Sequence, residues 1–171
     1  MNPSNKVRVL GVLVLAVAAV AGCERLVNEA STTADNTAMI RAYVDAANRG
    51  DATYLDAYLG PDYVFHGAGG DLDAEGFRAF HTMVLSAFPG ATFTIDDLIA
   101  TGDKVVTRWT LHGMHQGAFQ GIPPTGRAVT VTGIIISRFA NGRAVEEWEE
   151  ADILGMMQQL GVMAPPATEG P

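Results

Sequence analysis

The chain has 171 residues, 48% of them apolar, enough for one domain with its own core. Eleven Lys and Arg against 19 Asp and Glu give a net charge of −8, which argues against a cationic surface for nucleic-acid phosphates and against electrostatic capture by anionic lipid. One cysteine excludes an intramolecular disulfide.

In chain order, Lys6 and Arg8 precede an apolar run from Val9 to Gly22. Its length suits the h-region of an export signal and is short for a bilayer span. The run ends in VAGC and resembles the lipobox of bacterial lipoproteins. That resemblance implies cleavage before Cys23, lipidation of its thiol and a lipid anchor on the exported side of the membrane, periplasmic or cell-surface. Loss of residues 1–22 removes Lys6 and Arg8 but no acid, so 9 cations face 19 acids and the net charge becomes −10. Residues 23–36 read as a polar tether and 164–171 as a mobile tail, which leaves one domain over 37–163.

Met39, Ile40, Tyr43, Val44 and Ala47 recur at helical spacing, and Gly50 ends that helix. Asp51 suits the N-cap of a short second helix in ATYLDAYL. YVFHGAGG reads as a brief strand or extended turn. Phe77, Phe80, Val84 and Phe88 mark a third helix over 72–88, with His81 assigned to its exposed side. The period then changes to four β-rich stretches: TFTIDDLIATG, KVVTRWTLHGMH, RAVTVTGIIISRFANG and RAVEEWEEAD. ILGMMQQLG closes the domain as a short helix. Helices followed by strands on short turns predict an α+β fold with an antiparallel sheet. Gly113 and Gly133 inside long strands predict curvature, and a curved sheet roofed by helices encloses a cavity.

The longest connector, GMHQGAFQGIPPTGRAV, is stiffened by Pro123 and Pro124 and can fold Phe119 inward as a wall. A hairpin connector without a ligand role reads equally well. NRGD, PDYVFHG, AFPG, HGMHQGAFQGIPPTGRAV and NGRAVEEWEEADILGMMQQLG together resemble the SnoaL-like polyketide (ester) cyclases of the NTF2-like superfamily, over about residues 38–161. The resemblance implies an NTF2-like cone, with N-terminal helices packed on a strongly curved antiparallel sheet. It also implies general acid/base chemistry without metal or cofactor on a small apolar carbonyl compound, by aldol-type ring closure or related lyase or isomerase chemistry. A homodimer through the outer face of the sheet is common in the superfamily. Alignment of the last strands through NGR places Glu149 on the family's catalytic aspartate, one methylene longer. Some members carry a cavity histidine where this chain has Ile135.

A Glu acting near neutral pH must rise from about 4.3 to roughly 6–7, which an apolar cavity and crowding among Glu146, Glu147, Glu149 and Glu150 favour. Strand alternation places Glu147 and Glu149 on one face and Glu146, Trp148, Glu150 and Asp152 on the other. Glu149 is the first catalytic candidate and Asp152 the second. Arg108 suits either an oxygen-holding role in the cavity or a rim ion pair. His66 and His115 read as general bases or oxygen donors, or as structural hydrogen-bonding groups at strand ends. Trp148, Trp109 and Phe119 are candidate apolar contacts for substrate. His112 and His115, three apart on a strand, point to opposite faces, so no metal site is expected. A second function fits the same residues: a non-catalytic lipoprotein whose container holds an apolar ligand or a protein segment.

Overall fold

The computed structural model describes residues 32–164. The apolar run read as an export signal, Cys23, the span read as a tether up to residue 31 and residues 165–171 lie outside the described residues. No helix among the described residues is long and apolar enough to cross a membrane.

Helix α1 covers residues 32–48 and so begins inside the span read as tether. A 3-10 turn, Ala52–Tyr54, is capped by the Asp51 carboxylate, which accepts from the Thr53 amide, and runs into α2, Leu55–Tyr58. Strands β1 (Leu59–Gly67) and β2 (Gly70–Asp73) follow as a hairpin. Helix α3, Ala74–Ala87, is capped by Asp73, whose carboxylate accepts from the Gly76 amide at 2.8 Å. Strands β3 (Thr92–Thr101), β4 (Lys104–Met114), β5 (Ala128–Ala140) and β6 (Arg143–Ala151) come next. Helix α4, Ile153–Leu160, is the last described element.

The six strands form one sheet in the order β2-β1-β6-β5-β4-β3. The predicted sheet was antiparallel and four-stranded; the observed one is mixed, because β1 lies parallel to β6. Residues 59–73 supply the two further strands. Helix α3 carries the chain away from that hairpin, which leaves the free side of β1 for the last strand. Register shifts between Leu59 and Val64, Ile95 and Asp97, and Arg138 and Phe139 interrupt the ladders and help bend the sheet. The outcome is an α+β cone with helices packed on the sheet's inner face.

Polar side chains of NRGD, TGR, NGR and QQLG tie elements of this cone together. The Asn48 amide donates to the Phe93 carbonyl at 2.9 Å and accepts from the Phe93 N–H at 2.7 Å, as a neighbouring strand would. Gln159 on α4 does the same to Thr130 on β5, at 2.7 and 2.9 Å. Arg127 reaches the C-terminal end of α4 and donates to the Gln159 carbonyl, where the helix dipole favours a cation. Arg143, just after the β5–β6 turn, donates to the carbonyls of Asp56 and Leu59.

The buried apolar side chains form two clusters rather than one. The first holds Ile40, Leu55, Tyr58, Tyr63, Phe65, Phe77 and Phe139. The second holds Phe88, Leu111, Phe119, Val131, Met156 and Leu160. A gap between two packed clusters is where a fold of this kind can keep empty space.

Candidate active site

A cavity of about 150 Å³ lies between the clusters and takes its walls from both, with Phe65, Phe77 and Tyr58 on one side and Phe88, Phe119 and Met156 on the other. That is many times the ~10–15 Å³ one ordered water requires. The sheet forms its floor in three cross-strand rows. Ser137 and Glu147 make the first; Thr107, Ile135 and Glu149 the second; Trp109 and Ala151, on either side of Gly133, the third. Glu147 and Glu149 therefore enter together, as strand alternation requires, and Glu146, Trp148 and Glu150 do not.

The two acids differ in their surroundings. Glu147 is 2% exposed and accepts three hydroxyl donors: Tyr58 at 2.6 Å, Ser137 at 2.5 Å, and Tyr63. Burial pushes its carboxyl up, against the pull of those three bonds. Both of its oxygens accept from buried hydroxyls, so Glu147 is committed to the scaffold. Burial and the adjacent Glu147 push the phenols of Tyr58 and Tyr63 well above their usual range, which keeps both protonated as donors. Tyr43 stacks on Tyr58 with ring centroids 4.7 Å apart, and burial together with both acids raises it too.

Glu149 opens onto the cavity, so the residue is partly accessible while its carboxyl is largely enclosed. Burial lifts its pKa to about 7; the charge of Glu147 adds to the lift, and a hydrogen bond from Trp109 opposes it. That bond crosses an entire strand. A Cβ on Gly133 would lie 2.4 Å from Trp109 Cζ2, so only glycine lets the indole lie flat over β5 and reach β6. The glycine predicted to bend the strand thus also shapes the site.

Phe119 and Trp109 line the cavity. The long connector seats Phe119 because its backbone is fastened to the end of α3. The amides of Gln116 and Gly117 both donate to the Ala87 carbonyl, and a Cβ at position 117 would lie 2.3 Å from the Ser86 oxygen.

Other candidates are placed elsewhere. Arg108 points to the outer face, half-exposed, and pairs with Asp96 at 3.1 Å. Asp152 is exposed and caps α4, accepting from the Gly155 amide at 2.8 Å. His66 lies outside the cavity between Asp71 and Glu146, and its hydrogen bond to Asp71 raises its pKa. Trp148 shares that outer surface and stacks on His66 at 5.5 Å, so it is no wall of the cavity. His115 is fully buried but anchors the connector instead: its Nδ1 accepts from the Thr125 amide at 3.2 Å, and its ring packs on Phe88.

His81 is a correction in the opposite direction. Instead of facing solvent, it is 6% exposed, lies in the cavity wall near Tyr43 and Phe77, and burial lowers its pKa. It stands four residues after Phe77 and three before Val84, on the apolar stripe of α3, so helical spacing alone carried the signal. Among the described residues no cluster of three His, Cys, Asp or Glu is arranged to hold a metal ion.

A family profile described as SnoaL-like polyketide cyclase matches residues 37–160. The nogalonic acid methyl ester cyclase of Streptomyces nogalater is 27% identical over 124 residues, covering 69% of this chain and 91% of that protein. Among solved structures, TsrD from Streptomyces laurentii aligns with a TM-score of 0.70 and 34% identity over 76% of this chain and 97% of its own. AclR from Streptomyces galilaeus, a candidate hydroxylase, aligns with a TM-score of 0.73 and 26% identity over 80% and 87%.

Proposed function

Because the chain belongs to the SnoaL-like polyketide cyclase family, we propose that it is a cyclase-type enzyme in which Glu149 is the general acid/base for a small apolar carbonyl compound. The observation that supports this most is one carboxyl, with a pKa near 7, opening into a cavity otherwise lined almost wholly by apolar and aromatic groups. At neutral pH such a group is populated in both protonation states, which suits a residue that must take a proton and return it.

In the proposed step Glu149 removes a proton from the carbon next to the carbonyl, breaking the C–H bond and leaving an enolate. The enolate carbon attacks a second carbonyl of the same molecule, forming the ring C–C bond. Glu149 then delivers its proton to the new alkoxide, so no proton is gained or lost overall. Trp109 orients the carboxylate through its N–H. The aromatic walls exclude water, which would otherwise quench the enolate. Ile135, opposite Glu149 on the ladder, adds no donor, so this chain lacks the histidine some relatives place there.

Proton abstraction can be tested without the natural substrate. 2-Tetralone, an apolar ketone with activated α-hydrogens, should exchange them for deuterium in the presence of the protein. Glu149→Gln should slow this by about 10²–10⁴-fold, the usual contribution of a positioned base. Equal exchange by both proteins would remove Glu149 from the reaction. We further propose that the protein acts outside the cytoplasm, tethered through lipid on Cys23. Export favours a second reading, in which the same apolar container carries its ligand unchanged; binding of 2-tetralone without exchange would support it.

A further inference from the structure

Proton removal by Glu149 moves negative charge onto the carbonyl oxygen of the ligand. In an apolar space that charge is costly unless a hydrogen-bond donor faces it. Several donors of the wall are already engaged: Ser137 and Tyr58 bind Glu147, and Trp109 binds Glu149 itself. Four other buried side-chain polar atoms among the described residues meet no protein partner: both ring nitrogens of His81, the Thr107 hydroxyl and Nε2 of His115. The large majority of such atoms in proteins are paired, so each calls for a cause. His115 anchors the connector and is no wall of the cavity, whereas His81 and Thr107 both line it. They are 6% and 2% exposed, so bulk solvent serves neither.

Their placement suits an oxygen held next to Glu149. Thr107 lies in the same cross-strand row as Glu149, with Ile135 between them. Two inter-strand spacings put about 9–10 Å between the two backbones. A reacting contact of about 3–3.5 Å at Glu149, one C–C=O unit and a hydroxyl bond of about 2.8 Å at Thr107 fill a span of that order. His81 comes down from α3, opposite the sheet. Its ring centroid is 5.6 Å from that of Tyr43, whose phenol is raised by burial and by the charges of Glu147 and Glu149, so His81 and Glu149 border the same part of the cavity. Burial lowers the pKa of His81, which keeps the ring neutral with one N–H to donate.

We infer that His81 and Thr107 are further catalytic residues, which donate hydrogen bonds to the carbonyl oxygen as it becomes the enolate oxygen. In that step the C–H proton passes to Glu149, the electron pair comes to rest on the oxygen, and both donors keep their protons. A donor without a protein partner breaks no bond as the charge forms, which fits these two groups to the role better than Tyr58 or Ser137. The assignment rests on the acid/base reading of Glu149, since it concerns the oxygen that the same step charges.

The carbonyl stretch of bound 2-tetralone, labelled with ¹³C at the carbonyl, reads these hydrogen bonds without turnover. In infrared difference spectra the band on the wild-type protein should lie below its position in hexane, and should return toward that position in His81→Phe combined with Thr107→Val. Thermal unfolding midpoints report that the variants are folded. Deuterium exchange into the same ketone should fall about 10²–10³-fold in maximal rate in the double variant, the usual cost of losing oxyanion donors. KM should change by less than about tenfold, because the bond to the uncharged carbonyl is weak. Thr107→Ser, which keeps the hydroxyl, should exchange at nearly the wild-type rate. An identical carbonyl band in wild type and double variant, full exchange in the double variant, or failure of 2-tetralone to bind would overturn the inference. Glu149→Gln separates the two readings. Exchange unaffected by that substitution would sink the acid/base role, whereas exchange that needs Glu149 but neither His81 nor Thr107 would sink only the donors.

Discussion

Replacing Glu147 with Gln should lower the pKa of Glu149, because the two carboxyls share one face of β6 two residues apart. A strand rises about 3.3 Å per residue, so the charges sit roughly 7 Å apart. At an effective dielectric of ~20, two like charges at that distance repel by about 2.4 kcal/mol, equivalent to about 1.7 in pKa. Glu149 opens onto the cavity, which weakens the repulsion, so a fall of about 1–1.5 from the wild-type value near 7 is expected. The substitution keeps side-chain volume, and the hydroxyls of Tyr58, Tyr63 and Ser137 can rotate to serve an amide. The assay is a ¹³C NMR titration of Glu side-chain carboxyls, with the Glu149 signal assigned by its loss in Glu149→Gln. A midpoint that stays within about 0.3 of the wild-type value would show that burial alone sets the pKa, and that Glu147 carries no charge there.

Glu149 also imposes a pH dependence on stability. Its folded pKa of about 7 exceeds the ordinary 4.5, so between those values the folded state holds a proton that the unfolded chain has lost. Stability from this group is full below pH 4.5 and falls as pH rises through 7, by about 3 kcal/mol in total. Urea unfolding should therefore show Glu149→Gln more stable than wild type at pH 8 and similar at pH 4.5; parallel curves would contradict this. Gly133→Ala places a Cβ 2.4 Å from Trp109 Cζ2, so it should displace the indole, raise the Glu149 pKa above its wild-type value and cost about 1–3 kcal/mol of stability. An unchanged titration midpoint would mean the indole bond has no part in it. Gly117→Ala meets the backbone of Ser86 and Ala87, which cannot yield, so hydrogen exchange at the Gln116 and Gly117 amides should accelerate relative to the sheet. Cys23→Ser should leave the protein unlipidated by mass spectrometry and release it from membranes; an unchanged membrane fraction would refute lipid anchoring through that thiol.

Much of the fold was legible because the period of the sequence changes where the structure does. The stripe through Phe77, Val84 and Phe88 gave α3, and β-branched runs gave β3 to β6. The parallel contact of β1 with β6 was not legible, since it joins Phe65 to Glu147 and neither segment's pattern names its partner. In the site, alternation showed that Glu147 and Glu149 travel together, but alternation states only which residues share a face. It cannot say which face is inside, and so Trp148 was counted as a contact of a cavity it does not touch, while of the two roles open to Arg108 the ion pair, with Asp96, is the one observed. Glu147 was invisible as a scaffold because its three donors come from α2, β1 and β5. His81 shows the reverse failure: it was assigned to the exposed side although its spacing falls on the apolar stripe of α3. Asp152 fell to a simpler competitor, since an Asp immediately before an apolar helical run is first of all an N-cap.

Whether a carbonyl ligand lies in this cavity with its enolisable carbon against Glu149 is read directly from a crystal structure with bound 2-tetralone. The bicyclic ring is expected between Phe77 and Trp109, with the α-carbon about 3–3.5 Å from a Glu149 oxygen. A ligand seated on the outer surface beside Trp148, or a cavity that closes on its own side chains and admits none, would contradict it.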